Sequence, residues 1–350
     1  MITQKRSLFL SLILVASITL PLLLTQSCSQ CNKAKLEPVV VVDSTMSEPI
    51  RKLTAAISKD SLNPNLYFKR AEIHDLEGNY KSALSDMFVA INLDSLRPNF
   101  YTYGAALFIK SEEPKRAIML MAHAISLDST YIDFYIQGGK YAYLIKDYDQ
   151  ALAFFNQGLG KDMFAADLYY YKGMTYKDKG DTTKAMSSFQ TCVEQDPKYA
   201  DAFLQIGLIL QAKGDKMAQK YLDNAVKANP KGIDAMYAKG YAEQDAKQYE
   251  KSIETFRKII ETDHQNEEAL YAIGYSFLML DSFKTAYKNF ALATKIDPSY
   301  HEAYYKMGVC AEQLNDINEA KSLYQQSLNL NSKYTLAQKA LDRLNKTTQP

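Results

Sequence analysis

A period of 34 residues constrains this chain more than any other feature it has. Ala166–Tyr199 reads ADLYYYKGMTYKDKGDTTKAMSSFQTCVEQDPKY, and nearly the same pattern returns one period earlier and one period later. Small residues at Gly173 and Ala185 and aromatic ones at Tyr169, Tyr176 and Phe189 have the spacing of two short helices. Gly180-Asp181 supplies the turn between them and Asp196-Pro197 the stop. A hairpin of this size cannot bury its apolar face alone, so such repeats stack into a quasi-linear array.

Eight full units follow this phase: 64–97, 98–131, 132–165, 166–199, 200–232, 233–266, 267–300 and 301–334. The fifth is one residue short, between Gly214 and Ala218. Pro49–Asn63 fits the second half of a unit, with Leu53 and Ala56 on its apolar face. Thr335–Lys346 reads as a closing amphipathic helix with Leu336, Ala340, Leu341 and Leu344 at helical spacing.

The eighth position of each unit is small: Ala71, Ala105, Gly139, Gly173, Gly207, Gly240, Gly274, Gly308. So is the twentieth: Ala83, Ala117, Ala151, Ala185, Ala218, Ser252, Ala286, Ala320. Glycine inside a helix costs about 1 kcal/mol against alanine, so its recurrence argues for clearance where two helices cross. Large side chains recur four residues before the first column, as in Tyr67 and Tyr101, and four after the second, as in Phe155 and Phe189. They are expected to fill the space between neighbouring hairpins.

These columns, eight times in phase, resemble the tetratricopeptide repeat family over residues 49–346. The resemblance implies an all-α fold: a right-handed α-solenoid of eight full repeats, an N-terminal half repeat and a C-terminal capping helix. Ile259 stands where Ala225 and Ala293 are small, and Met163 and His264 replace the closing proline. A looser or differently angled junction between the sixth and seventh units is the expected consequence.

The family also implies that first helices line a concave groove. In that groove the fifth and ninth positions turn apolar or aromatic from the fourth unit onwards: Tyr170, Met174, Leu204, Leu208, Tyr237, Tyr241, Tyr271, Tyr275, Tyr305 and Val309. Broad rings with orienting hydroxyls suit a protein or peptide partner. The bland alternative is that these tyrosines pack between adjacent first helices. At the second position, Asp133, Asp167, Asp201, Asp234, Glu268 and Glu302 could form an acidic rail; favourable acids in a helix's first turn explain them equally well. The clamp that grips chaperone C-terminal carboxylates, which needs Lys and Asn together at groove positions, is absent.

Ahead of the repeats, Met1–Ser27 has a basic start at Lys5 and Arg6 and an apolar run over Leu8–Leu24. That run is short for a spanning helix of roughly 20 apolar residues and reads as a signal peptide. Leu24-Thr25-Gln26-Ser27-Cys28 resembles a bacterial lipobox, although Thr25 departs from the usual aliphatic residue. The resemblance implies acylation of Cys28, a tether over 28–48, and a periplasm-facing envelope protein, with Ser29 favouring the outer membrane. Residues 347–350 form a polar tail.

Charge is balanced, 41 basic against 40 acidic residues, so no net field favours nucleic acid. His74, His123, His264 and His301 occupy four different repeat positions, none with metal-ligand spacing. Cys192 and Cys310 are more than three units apart, too far along a solenoid for a disulfide. No nucleophile, metal or phosphate motif is present, and no cofactor is implied. The reading is a non-enzymatic adaptor that docks a protein or peptide in its groove. A glycan-binding module or non-catalytic subunit of an envelope enzyme complex is the alternative, and homo-oligomerisation through an exposed end a third.

Overall fold

The computed structural model describes residues 46–347, which contain eighteen α-helices and no strand. α1 (Glu48–Lys59) precedes eight helix pairs. These are α2 (Pro64–Leu76) with α3 (Tyr80–Leu93), α4 (Pro98–Lys110) with α5 (Pro114–Leu127), α6 (Ile132–Leu144) with α7 (Tyr148–Leu159), and α8 (Ala166–Asp178) with α9 (Thr182–Gln195). There follow α10 (Ala200–Ala212) with α11 (Ala218–Ala228), α12 (Ile233–Asp245) with α13 (Tyr249–Thr262), α14 (Glu267–Met279) with α15 (Phe283–Ile296), and α16 (His301–Gln313) with α17 (Ile317–Leu330). α18 (Thr335–Thr347) closes the array. Each helix packs chiefly on its neighbours in sequence, which makes an α-solenoid.

Both small columns are buried throughout. What the glycines make room for is a ring on their own hairpin. A methyl group added at Gly139 would lie 2.2 Å from Phe155, at Gly173 2.6 Å from Phe189, and at Gly308 2.6 Å from Tyr324. The large side chains of the second helix therefore fill the hairpin's own crossing first, rather than the space between hairpins. Where the eighth position is alanine, at Ala71 and Ala105, the facing position holds the thinner Met87 and Met121. Size is conserved across the crossing as a pair.

Local chemistry fixes both kinds of turn. The middle residue of each turn inside a hairpin has positive φ: Gly78, Gly180 and Gly214, but also Glu112, Lys146, Lys247, Asp281 and Asn315. The next amide donates back to the last turn of the first helix, as Asp181 N does to Tyr176 O at 2.9 Å. Side chains with a Cβ are strained there by about 1–2 kcal/mol. Replacing Glu112, Lys146 and Lys247 by glycine should stabilise by roughly 0.5–1 kcal/mol each, after the entropy glycine loses on folding. An unchanged urea midpoint in the triple variant would show that the native side chains make contacts that offset the strain.

Between hairpins, an Asp or Asn side chain accepts from the amide two residues on, as Asp162 Oδ1 does from Phe164 N at 2.8 Å. Tyrosines four before the small column then clamp the turn. Tyr67, Tyr101, Tyr135 and Tyr169 donate their hydroxyls to the carbonyls of Ser61, Ser95, Ser129 and Met163 at 2.9–3.2 Å.

Several expectations need correction. Ile50 and Ile57, not Leu53 and Ala56, are the buried contacts of α1, which places its apolar stripe one helix step away. On α18, Ala337 is fully buried beside Ala340 and Leu344, whereas Leu336 is 49% exposed and Leu341 only partly covered. At the sixth-to-seventh junction Ile259 is wholly buried against Ala269, Ala272 and Ile273, so the larger side chain leaves no slack at its own position. A depression of 330 Å³ nevertheless opens beside it between Arg257, Ile260, Leu270 and Phe277. The irregularity of the fifth unit lies elsewhere, in a five-residue turn at 213–217 and a second helix of only 11 residues. Cys192 and Cys310 are buried free thiols, and burial pushes both up to about 12. Cys28 and the expected signal peptide lie outside the described residues.

Candidate functional site

First helices touch each other across units, as α6 does α8, α10 does α12 and α14 does α16. A polar ladder at the twelfth position ties them together. Lys177 Nζ donates to Gln205 Oε1 at 2.7 Å, Gln211 Nε2 to Asp245 Oδ2 at 2.9 Å, and Gln244 Nε2 to Ser276 Oγ at 2.8 Å. Tyr143 donates to Asp178 in the same way. Each link spans one repeat, so the ladder holds the first-helix face in register.

The expected groove residues divide between packing and display. Tyr170 and Met174 pack with Phe189 and Tyr199, Leu204 with Phe203 and Tyr221, and Val309 with the C-terminal cluster. Leu208 is 39% exposed. The fifth-position rings lean on the second-helix ring of their own hairpin: Tyr170 on Phe189, Tyr237 on Phe256, Tyr271 on Phe290 and Tyr305 on Tyr324, with centroids 5.3–5.9 Å apart. One face of each ring is therefore structural. Tyr271 also stacks on Tyr300 and Tyr305 meets Tyr334 edge-on, each partner being the last residue of the same unit, just ahead of the next helix.

Five of the ten converge. Tyr237 and Tyr241 stack at 6.0 Å, and Tyr241, Tyr271 and Tyr275 line one depression of 270 Å³ with Gln244, Asp245, Ala272 and Lys306. Lys306 Nζ lies 5.2 Å from the Tyr275 ring centre and 5.7 Å from that of Tyr305. Ala272 lines the depression at a sixth position held by Tyr103, Gln137, Tyr171 and Gln205 in the second to fifth units and by Ala238 in the sixth. Ala272, Gln244, Asp245 and Lys306 escaped the sequence reading, which followed two columns. They stand at the sixth, twelfth and thirteenth positions, and no signal in the sequence singles them out.

Two of the second-position acids, Asp167 and Glu268, have hydroxyl partners. Tyr199 donates to Asp167 at 2.7 Å and Tyr241 to Glu268 at 3.0 Å. Burial, then the charge of Glu268, raises the Tyr237 and Tyr241 phenols above their usual range; for Tyr271 burial leads, with Tyr334 and Glu302 adding. Burial holds the Lys306 ammonium below its usual range. The groove thus combines aromatic faces, carboxylates and a desolvated ammonium.

Two further polar clusters sit between helices at the seventh, eleventh and twenty-third positions. In the first unit Arg70 makes paired bonds to Asp86 at 2.6 and 2.7 Å, beside His74, and reaches Thr54 of α1. In the sixth, Thr255 donates to buried Glu243 at 2.8 Å, with Lys239 3.8 Å away. Burial raises the Glu243 carboxyl despite both. Among the described residues no three His, Cys, Asp or Glu side chains converge as metal ligands. No helix among them is long and apolar enough to cross a membrane.

Stacked helix pairs with one continuous first-helix face define a helical-repeat protein-interaction scaffold. The chain carries tetratricopeptide repeats: one tetratricopeptide repeat model matches residues 166–199 and 301–334, and a second matches 217–267. Solved structures share the fold. That described in the functional characterization of pilF from Pseudomonas aeruginosa has 16% identity over 61% of this chain and 97% of its own, with a TM-score of 0.50. A tetratricopeptide repeat protein from Parabacteroides merdae is similar at 13% identity over 71% of this chain and 98% of its own, with a TM-score of 0.46. YrrB, described as a TPR protein with an unusual peptide-binding site, has 21% identity over 63% and 97%, with a TM-score of 0.39. No curated protein matches the sequence.

Proposed function

We propose that this chain is a non-enzymatic adaptor, lipid-anchored through Cys28 at a bacterial cell envelope, that docks a protein or peptide partner against its first-helix groove. The observation that carries the docking is the depression among Tyr241, Tyr271 and Tyr275, which sets three aromatic rings beside the polar groups of Gln244, Asp245 and Lys306. The lipobox resemblance at Ser27-Cys28 supports the anchor. A photoreactive residue placed at Tyr275 in the native envelope should give a discrete protein adduct, and one placed at exposed Lys333, on a turn between hairpins, should not. Absence of any adduct from Tyr275 would count against the groove. In the same cells Cys28→Ala should move the protein out of the membrane fraction; unchanged fractionation rejects the acyl anchor.

A further inference from the structure

Resting on the groove reading above, we infer that the partner segment is cationic, and that its Arg or Lys side chains stack on the groove tyrosines between the carboxylates of Asp245 and Glu268. Three observations carry this. The first is how the tyrosines already use their faces. Lys306 lies over Tyr275 and Tyr305, and five units earlier Lys140 Nζ lies 5.1 Å from the Tyr171 ring centre. The protein's own ammonium groups occupy the positions that cation–π attraction favours.

The second is charge. Each of the last six full units carries an acid at the second position of its first helix, and Asp245 adds one within the depression. The lysines at groove positions of those units are only Lys140, Lys177 and Lys306, in a chain balanced at 41 basic to 40 acidic residues. The negative charge is therefore local to this face, and a positive segment is its complement.

The third is geometry. Glu268 Oε1 accepts from the Tyr241 hydroxyl at 3.0 Å, which fixes a carboxylate at the edge of the ring. Asp245 is held by the Gln211 amide at 2.9 Å, so it too is positioned before any partner arrives. Aromatic faces flanked by positioned carboxylates hold a guanidinium or ammonium without having to reorganise.

The test uses fluorescence anisotropy of the full-length chain with three labelled decapeptides that alternate leucine with arginine, serine or glutamate. The arginine peptide is expected to bind at least tenfold tighter than the serine peptide, and the glutamate peptide weakest. Asp245→Asn with Glu268→Gln should lower arginine-peptide affinity about tenfold and leave serine-peptide affinity unchanged. Tyr271→Ala removes a ring but no charge and should also weaken the arginine peptide; unchanged binding there would reduce the preference to a diffuse field and overturn the stacking. Equal affinity for all three peptides, or preference for the acidic one, overturns the inference and leaves the groove reading standing. Binding of none, together with no adduct from Tyr275, overturns both.

Discussion

Gly139→Ala should destabilise the third hairpin by about 2 kcal/mol, and adding Phe155→Met should recover most of that loss. The new methyl group would sit 2.2 Å from the Phe155 ring, in a crossing where both residues are buried. Overpacking of this kind costs about 1–3 kcal/mol, and the ring has no free volume to swing into. Alanine's better helix propensity returns about 1 kcal/mol, which sets the net figure at the upper end of the overpacking range less that gain. The rescue is written into the chain: Ala71 faces Met87 and Ala105 faces Met121, all four buried. Methionine is thinner and bends around a methyl group that a ring cannot avoid. Urea unfolding followed by circular dichroism measures both variants. If the single variant is as stable as the parent, or the methionine fails to restore it, size complementarity is not what the glycine column encodes.

Asp86→Ala should cost about 3–5 kcal/mol, because it strands the Arg70 guanidinium between helices without its carboxylate. Asp86 is 4% exposed and accepts from both Arg70 Nε and Nη2. Arg70 also donates to Thr54 at 3.0 Å, so the pair ties α1 to the first full hairpin. The loss should therefore appear first as faster amide exchange in α1 and α2, while the last hairpins keep their protection. Replacing both charges, with Arg70→Met and Asp86→Leu, should cost less than removing the aspartate alone. A double variant as damaged as the single one would mean that the cluster acts by shape and not through its stranded charge.

Much of the fold was legible because its determinants are local. The 34-residue period, the small columns, and the Pro and Asp residues at helix ends placed hairpin boundaries that the structure keeps nearly residue for residue, from Pro64 to Leu330. Misplaced details were of one kind. Leu53, Ala56 and Leu336 each sat one position off the buried stripe, since a terminal helix has a neighbour on one side only and the pattern tolerates rotation. The expected slack at Ile259 failed because a buried side chain larger than alanine fills space that its neighbours Ala269 and Ala272 leave open.

The groove was only half legible. Five tyrosines read from two columns do converge, but sequence could not say that Tyr237, Tyr271 and Tyr305 each give one face to a phenylalanine or tyrosine some twenty residues on. Nor could it show that Ala272 and Lys306 line one depression with Tyr271 and Tyr275.

By itself, the sequence determined the repeat, the hairpin and the pairing of small with large, because each depends on residue size and backbone preference within one 34-residue unit. Only the tertiary structure decided which tyrosines stay available and which charges stand beside them. Those are set where first helices from successive units meet, and a side chain's exposed face there depends on residues roughly one repeat away.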